Sequence, residues 1–370
     1  MHIGVPKEIK NHEYRAGLTP ASVKELTSHG HRVTIETGLG KGAGIGDDEY
    51  VSAGAAVTGD AKSIFAAADM IVKVKEPQAS ECAMLRAGQI LFTFLHLAPD
   101  VPQTQALLKS GCTGIAYETV QTSDGKLPLL TPMSEVAGRL SIQVGAHYLE
   151  REHGGRGILL GGVPGVSPAH VLIIGAGVSG SHALQMAVGM GARVTVMDKN
   201  LNRLRELDAI YSGRIECVYA NAGAIARALP HVDLVVGAVL VPGASAPKLV
   251  RQKDLSIMKP GSVMVDIAID QGGCFETSRP TTHDNPVYLE GGVIHYCVTN
   301  MPGAVPRTSS FALNNVTLPY ATALADHGLD ALRRDPSLLA GLNVHAGKLT
   351  NAAVADAQGA NFTSPLNALS

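Results

Sequence analysis

The chain has 370 residues, of which 45% are hydrophobic and 17% are charged, so it is long enough for two globular domains. The net charge of -2, the absence of tryptophan and an aromatic content of 4% argue against a protein that binds nucleic acid or an anionic membrane surface. Without an apolar signal core, a long apolar run or a Cys-x-x-Cys pair, the sequence predicts a cytoplasmic protein with no transmembrane helix, disulfide framework or zinc site; its five cysteines are Cys82, Cys112, Cys217, Cys274 and Cys297.

In the first half, short apolar runs alternate with helical patterns, which favours β-α-β units and a parallel sheet. The predicted strands are HIGVP, HRVTIET, DMIVKVKEP, QILFTFLHL and GCTGIAYET. A helix is predicted to begin at Thr19-Pro20, because threonine is a good N-cap and proline suits the first helical position. The apolar spacing predicts a second helix over about 134–152.

A second α/β set follows, with predicted strands in VLIIGAG, RVTVMD, HVDLVVGAVL, GSVMVDIAID and VIHYCVTN. After Pro306 a long helical pattern, kinked at Pro319, is interpreted as the return of the chain to the first domain, and the tail as a helix with a loose end. The sequence therefore predicts an α/β fold of two Rossmann-like domains with parallel sheets separated by a cleft. The expected domains are 1–128 with 307–370, and 129–306.

A glycine motif opens the second domain, with Gly175, Gly177 and Gly180 between a buried strand and a helix. An acid, Asp198, ends the next strand 18 positions after the last glycine. In this context the first glycine permits the tight turn, the second lets the backbone approach a pyrophosphate, and the third allows close helix packing. A carboxylate at the ribose repels a 2′-phosphate, so the motif predicts NAD rather than NADP, although Lys199 and Arg203 lie nearby.

A histidine, His96, stands at the end of the apolar stretch FTFLHLAPD. One interpretation is a core histidine that bonds a backbone carbonyl, which is the common fate of a histidine in an apolar run. The other is a catalytic acid/base at the carboxyl edge of a parallel sheet, where open α/β sheets bind their ligands.

Two cationic positions favour the catalytic interpretation. Arg15 lies in the loop after the first strand, and a guanidinium there can hold a carboxylate bidentately. Lys73 and Lys75 interrupt a later strand on one face, and two lysines cannot both be buried without partners. We expect one to reach a solvated edge and Lys75 to meet an anion. Together with His96 these residues suit a 2-oxo acid or an amino acid substrate, and this first domain is predicted to bind it.

Two aspartates punctuate the predicted strand GSVMVDIAID in the NAD-binding domain. Asp270 ends it beside two glycines, and its carboxylate is predicted to face the nicotinamide. For Asp266 a structural role through backbone hydrogen bonds is the more common outcome, and for Asp270 that alternative stays open.

The sequence resembles the alanine dehydrogenase/pyridine nucleotide transhydrogenase family over nearly its whole length. The matching blocks are GVPKEIKNHEYRAGLTP, VKVKEP, LFTFLHLA, GIAYETVQ, LPLLTPMSEVAGRLSIQVGA, GGRGILLGGVPGV, the glycine motif, GAVLVPGASAPKLV, MVDIAIDQGGCFETSRPTTHDNP and NMPGAVPRTS. The resemblance implies NAD-dependent, reversible oxidative deamination of L-alanine to pyruvate and ammonium by a homo-oligomer, a hexamer in members of the family.

The resemblance also implies residue roles. Arg15 and Lys75 would hold the substrate, His96 would be the acid/base, and Asp270 a second catalytic residue. The positions implied for NAD are Ser134, Gly175, Gly177, Val178, Gly180, Asp198, Arg203, Val239, Leu240, Ile267, Ala268, Ile269, Asp270, Arg279, Val298, Asn300 and Met301.

Two positions depart from the family pattern. Ala220 replaces a frequent serine, which removes one expected adenosine hydrogen bond. Ala323 stands four residues before His327, where some members have an acid suggestive of a metal site, so no metal is expected.

Three functional alternatives stay open. They are a transhydrogenase nucleotide-binding subunit, a lysine-type or saccharopine-forming dehydrogenase, and a non-catalytic NAD sensor.

Overall fold

The strands of the computed structural model, which describes residues 1–239 and 247–370, form two mostly parallel sheets in two compact units. The first unit contains residues 1–133 and 305–370, and the second contains residues 134–304. Two α/β domains built on parallel sheets were predicted, and this fold class is confirmed. The unit boundaries fall within five residues of the expected positions, 128/129 and 306/307.

The first unit has eight strands, numbered with those of the second unit in chain order: β1 His2–Val5, β2 Arg32–Glu36, β3 Ala56–Thr58, β4 Met70–Val72, β5 Ile90–Thr93, β6 Thr113–Ala116, β14 Leu342–His345 and β15 Lys348–Leu349. Their order across the sheet is β15-β14-β6-β5-β4-β1-β2-β3, and the first six strands of the chain are mutually parallel. The order reverses between β1 and β4, which is the switch point where open α/β sheets form ligand crevices.

The helices of this unit are α1 Pro20–Ser28, α2 Asp47–Ser52, α3 Ala61–Ala67, α4 Ala79–Cys82, α5 Val101–Ser110, α10 Pro306–His327, α11 Asp330–Arg334, α12 Pro336–Ala340, α13 Ala352–Gln358 and α14 Pro365–Ala368. Helix α1 begins as predicted, because the side chain of Thr19 accepts a hydrogen bond from the Ser22 N–H and Pro20 occupies the first turn. Pro319 lies inside α10.

The described residues of the second unit form seven strands: β7 His170–Ile174, β8 Arg193–Asp198, β9 Glu216–Tyr219, β10 Leu234–Gly237, β11 Val263–Asp266, β12 Val287–Glu290 and β13 Val293–Tyr296. They are ordered β12-β13-β11-β10-β7-β8-β9, and β12 alone among them pairs antiparallel. The helices are α6 Thr131–Tyr148, whose first three residues belong to the first unit, α7 Val178–Gly189, α8 Leu201–Tyr211 and α9 Ala222–Ala228. This is the strand order of dinucleotide-binding sheets, and its switch point lies between β7 and β10.

Three sequence-based expectations about element ends were wrong. Strand β5 ends at Thr93, so His96 lies three residues beyond it, and β4 ends before Lys73. Strand β11 ends at Asp266, and Asp270 belongs to a 3₁₀ turn over Ile267–Gln271. Apolar residues continue past each strand end, and periodicity alone cannot mark where sheet pairing stops.

The C-terminal region after α10 also differs from the expectation of a helix with a loose end. Strands β14 and β15 form an antiparallel pair at the edge of the first sheet, where β14 pairs with β6. Among the described residues, no helix is both long and apolar enough to span a membrane. All five cysteines are free thiols, and four of them are buried.

Candidate active site and dinucleotide site

Three predicted substrate-site residues of the first unit follow neighbouring strands at the switch point of its sheet. Arg15 follows β1, Lys75 follows β4, and His96 follows β5. The loop carrying Arg15 lies directly on the end of β4, since a Cβ at Gly17 would be 2.8 Å from the Val72 carbonyl oxygen. The carboxyl ends of adjacent parallel strands share one edge, so the fold brings these segments together.

Arg15 is buried and oriented by an acid two residues before it. Its Nε donates to Glu13 Oε1 at 2.7 Å, and its Nη2 donates to Glu13 Oε2 at 2.5 Å. Its Nη1 also lies 3.1 Å from the Met133 sulfur. This bidentate pair fixes the orientation of the guanidinium. The planar guanidinium is the group that recognises a carboxylate through two hydrogen bonds.

The two lysines after β4 have different environments, and both are buried. Lys73 is fully buried and forms ion pairs with Glu8 at 2.9 Å and Glu81 at 2.8 Å. The expectation that one lysine reaches a solvated edge was wrong, because these two carboxylates neutralise it in the interior. Lys75 lies 3.7 Å from Glu76, too far for a hydrogen bond.

Glu76 connects the cationic residues of this region. Burial alone would raise the pKa of its carboxyl, but Lys75, Lys10 and His96 hold that pKa below its ordinary value. Lys10 also donates a hydrogen bond to Glu76. Glu76 was not predicted from the sequence, although it directly follows Lys75.

His96 is 42% exposed at its side chain and has a left-handed backbone with φ of 49°. This conformation is uncommon for residues other than glycine and is often found at functional sites. The Glu118 carboxylate accepts the His96 N–H at 2.6 Å and lies 4.0 Å from its Nδ1. The ring stacks on Phe94 with 5.7 Å between centroids. His96 is therefore held at an accessible surface rather than within packed hydrocarbon.

A cavity of about 650 Å³ lies beside this region, lined by residues that include Lys10, Glu76, Gln78, Asp100 and Gln103. Arg15, Lys75 and His96 are absent from its lining as described. The candidate substrate site therefore rests on the positions of these three residues and not on this cavity.

In the second unit, the glycine motif forms the turn from β7 into α7. Gly175 has φ of 103°, and a Cβ at Gly180 would be 1.8 Å from the Gly175 carbonyl oxygen. Gly177 is the N-cap of α7, and a Cβ there would have no described atom within 4 Å. The first and third glycines are thus required by the turn and by packing, whereas the second borders open space before a helix N-terminus, where anions bind. Val178 is the first residue of that helix.

Asp198 and Arg203 both contact the glycine turn. The Asp198 carboxylate accepts the Ala176 N–H at 2.6 Å and the Asn200 N–H at 2.7 Å. Arg203 Nε donates to the Ala176 carbonyl at 3.1 Å, and its Nη1 pairs with Glu206 at 2.7 Å. Asp198 ends β8, as predicted, and stands beside the turn on the side expected for a ribose.

Other predicted cofactor positions surround this switch point. Val239 follows β10, and its side chain would be 3.0 Å from a Cβ at Gly175. Ser134 lies on α6, one turn before Gly138, where a Cβ would be 2.2 Å from the Ser179 carbonyl near the start of α7. Leu240 lies outside the described residues.

The segment after β11 contains two aspartates with different environments. Asp266 is fully buried and accepts hydrogen bonds from Ala268, Cys274 and Phe275 N–H groups and from Ser278. Burial raises the pKa of this carboxyl, although its hydrogen bonds oppose the rise. This set of contacts supports the structural interpretation of Asp266. Asp270 is exposed, and no described residue lies within hydrogen-bonding distance of its carboxylate.

The remaining predicted positions lie around this segment. Ala268 and Ile269 are buried, and Ile267 is partly buried. Arg279 places its guanidinium 4.1 Å from the centre of the Tyr288 ring. Val298 and Met301 are buried, and Asn300 has a left-handed backbone with φ of 61°.

The chain matches two family models, described as the alanine dehydrogenase/PNT N-terminal domain over residues 4–137 and the C-terminal domain over residues 141–352. An alanine dehydrogenase of Halomonas elongata is 57% identical over 98% of both chains. One from Mycobacterium tuberculosis is 56% identical over 100% of both.

Solved structures give the same relationship. A structure of an L-alanine dehydrogenase superposes with a TM-score of 0.95 at 53% identity, covering 97% of this chain and 99% of the other. A transhydrogenase from Sinorhizobium meliloti is more distant, with a TM-score of 0.80 at 26% identity, covering 95% of this chain and 100% of the other.

Proposed function

The chain belongs to the alanine dehydrogenase/PNT family, and we propose that it is an NAD-dependent alanine dehydrogenase. The reaction is L-alanine, NAD⁺ and water giving pyruvate, ammonium, NADH and a proton, and it is reversible. The observation that carries the proposal is that Arg15, Lys75 and His96 each follow one of three adjacent strands at the same sheet edge, in a chain that aligns end to end with proteins named alanine dehydrogenase.

The residues of the second unit fit a dinucleotide. The open space at Gly177 and the free N-terminus of α7 suit a pyrophosphate, and Asp198 suits the ribose hydroxyls. Ser134, Val239 and the segment Ile267–Asp270 complete the proposed contacts. When bound, NAD supplies the acceptor for the hydride from the α-carbon of alanine.

Arg15 and Lys75 hold the substrate in this proposal. The guanidinium of Arg15, already oriented by its bidentate contact with Glu13, binds the substrate carboxylate. Lys75 Nζ binds the oxo group of pyruvate, or the amino acid carboxylate from its other side. Fixing both ends of so small a substrate sets the direction of its α-hydrogen, which is a positioning effect.

His96 moves protons during hydrolysis of the imino acid. Its Nδ1 faces Glu118, and among the described residues its Nε2 has no hydrogen-bond partner. Nε2 is therefore the atom proposed to take a proton from the attacking water and to return one to the departing ammonia. Asp270, an exposed carboxylate with no described partner, is proposed to orient the water or the ammonium.

The direct experiment is to mix purified protein with L-alanine and NAD and to record the absorbance of NADH. Formation of NADH that requires both compounds supports the proposal, and no NADH formation across a range of pH would refute it. Hydride transfer to a second nucleotide in the absence of alanine would instead support a transhydrogenase subunit, and NAD binding without turnover would support a sensor.

Assembly and location belong to the same proposal. A hexamer is proposed on the family resemblance alone. A cytoplasmic location is supported by the five free thiols, which suit a reducing compartment.

A further inference from the structure

Two histidines and a glutamate, none of them assigned a role above, converge on the surface at the end of α6. His147 lies in the last turn of α6, and Glu150 and His153 follow three and six residues later. One ligand atom from each lies within 4.8 Å of the other two. The centroids of the two imidazole rings are 3.8 Å apart.

The spacing of these ligand atoms is too long for hydrogen bonds. Glu150 Oε2 lies 3.9 Å from His147 Nδ1 and 3.6 Å from His153 Nε2. Among the described residues, none of the three side chains has a hydrogen-bond partner. Atoms separated by 3.6–3.9 Å are instead spaced like two ligands of one ion, since metal–nitrogen and metal–oxygen bonds of about 2.0–2.2 Å at a wide angle span this distance.

The backbone holds the three residues in place without a metal. The Gly155 N–H donates to the Glu150 carbonyl, and Gly154 ends the 3₁₀ turn with φ of 88°. A side chain at Gly155 would collide with the Tyr148 carbonyl at 2.3 Å, so the turn folds back tightly on the helix end. The Tyr148 ring packs edge-on against both histidines. Because the backbone of this turn is already fixed, ion binding would have to order only the three side chains.

A second cluster, His29, His31 and Asp326, also combines two histidines with one carboxylate, here an aspartate, but has a different geometry. There the Asp326 carboxylate is hydrogen-bonded to His29 Nδ1 at 3.1 Å and to His31 Nε2 at 2.8 Å. Its polar atoms already satisfy one another. This cluster therefore serves as a control for the first one, because its two histidines and carboxylate are hydrogen-bonded to one another rather than 3.6–3.9 Å apart.

We propose that His147, Glu150 and His153 form a binding site for a divalent transition-metal ion. Two imidazoles and one carboxylate with open positions for water suit Zn²⁺, Co²⁺ or Ni²⁺ rather than Mg²⁺ or Ca²⁺, which prefer all-oxygen sites. The ion connects the last turn of α6 to the 3₁₀ turn that follows. The site is solvent-exposed, with side-chain exposures of 49% for His147, 60% for Glu150 and 32% for His153, so metal can enter without unfolding.

The test uses the full-length protein without an affinity tag, treated with a chelator and then titrated with Zn²⁺ in a calorimeter. We expect one ion per chain at this site and a rise in melting temperature with Zn²⁺, because an ion that binds the folded state stabilises it. His153→Ala is expected to weaken binding at least ~10-fold, as is usual for loss of metal-site groups. The control His29→Ala is expected to bind Zn²⁺ like the unchanged protein.

Co²⁺ gives a second readout, because its visible d–d absorption is stronger at a four- or five-coordinate protein site than in water. We expect this absorption in the unchanged protein and in His29→Ala, and its loss in His153→Ala and His147→Ala. The proposal is overturned by no Zn²⁺ binding at millimolar concentration, by binding that His153→Ala leaves intact, or by binding lost in His29→Ala. Alanine turnover without added metal should be the same in all these variants, which separates this site from the proposed function.

Discussion

The Nζ of Lys73 lies 2.9 Å from Oε2 of Glu8, with side chains 0% and 3% exposed. The other oxygen of Glu8 accepts the Val74 N–H at 2.7 Å and the Lys75 N–H at 3.3 Å. Burial raises the pKa of Glu8 although Lys73 opposes it, and burial alone would lower the pKa of Lys73, but Glu8 and Glu81 together raise it. This buried pair thus fixes the backbone that presents Lys75.

Replacing Lys73 by methionine should strongly destabilise the protein. Lys73→Met leaves Glu8 and Glu81 buried without a counter-charge, and breaking a buried pair in this way costs about 3–5 kcal/mol. The free energy of unfolding in urea measures the loss. The control Lys10→Met removes a lysine that is 38% exposed and should cost about 1 kcal/mol or less. Equal stability of Lys73→Met and the unchanged protein would contradict the role given to this pair.

Two alanine substitutions in the glycine motif should affect different properties, one the stability of the fold and the other the affinity for NADH. Gly180→Ala places a methyl group 1.8 Å from a backbone oxygen and should destabilise the fold by at least ~1–3 kcal/mol. Gly177→Ala points into open space and should change stability by less than ~1 kcal/mol while raising the dissociation constant for NADH. Melting temperature and NADH fluorescence titration separate the two effects. Unchanged NADH affinity in Gly177→Ala would remove that space from the proposed pyrophosphate site.

Removing the carboxylate at the end of β8 should relax the choice of cofactor. In Asp198→Ala the repulsion of a 2′-phosphate is lost, so we expect the NADP/NAD ratio of kcat/KM to rise about 10-fold or more. Arg203, whose guanidinium lies at the same turn, adds to this rise. The control Asp208→Ala changes an exposed acid on α8 and should leave the ratio as it is. A ratio unchanged in Asp198→Ala would place the adenosine ribose elsewhere.

Because of His295, the free energy of unfolding should fall as the pH decreases below about 6.5. Burial holds the pKa of this imidazole below the ordinary 6.5, so the folded state stays neutral where the unfolded state takes up a proton. The contribution of neutral His295 to the free energy of unfolding is therefore complete above about pH 6.5. It is lost as the pH falls toward the pKa that His295 has in the folded state. His295→Gln should flatten the fall in unfolding free energy over this range. Since burial also lowers the pKa of His170, some slope should remain. An unaltered slope in His295→Gln would contradict this assignment.

Local sequence signals predicted the second unit well. The strand, glycine turn and helix around Gly175 are encoded within a few residues, because φ of 103° and a close approach at Gly180 exclude side chains there. The helix start at Thr19-Pro20 is local in the same sense. Asp270 was placed at the correct sheet edge but on a strand rather than a 3₁₀ turn, since its apolar neighbours resemble a strand.

Partners that are distant along the chain were not predictable. Glu8 and Lys73 are 65 positions apart, and only the adjacency of β1 and β4 brings them together. Glu118 reaches His96 because β6 pairs with β5. The sequence shows that Glu8 and Glu118 lie just beyond strand ends. It does not show the order of the strands in the sheet, which determines the partners of these two acids.

The most direct test of the proposed active site is the turnover of His96→Ala measured alongside its affinity for NADH. Because Nε2 of His96 is the proposed proton carrier, kcat for alanine oxidation should fall by ~10²–10⁴. The dissociation constant for NADH should stay nearly unchanged, because the proposed dinucleotide contacts lie in the other unit. Turnover equal to that of the unchanged protein would contradict the account.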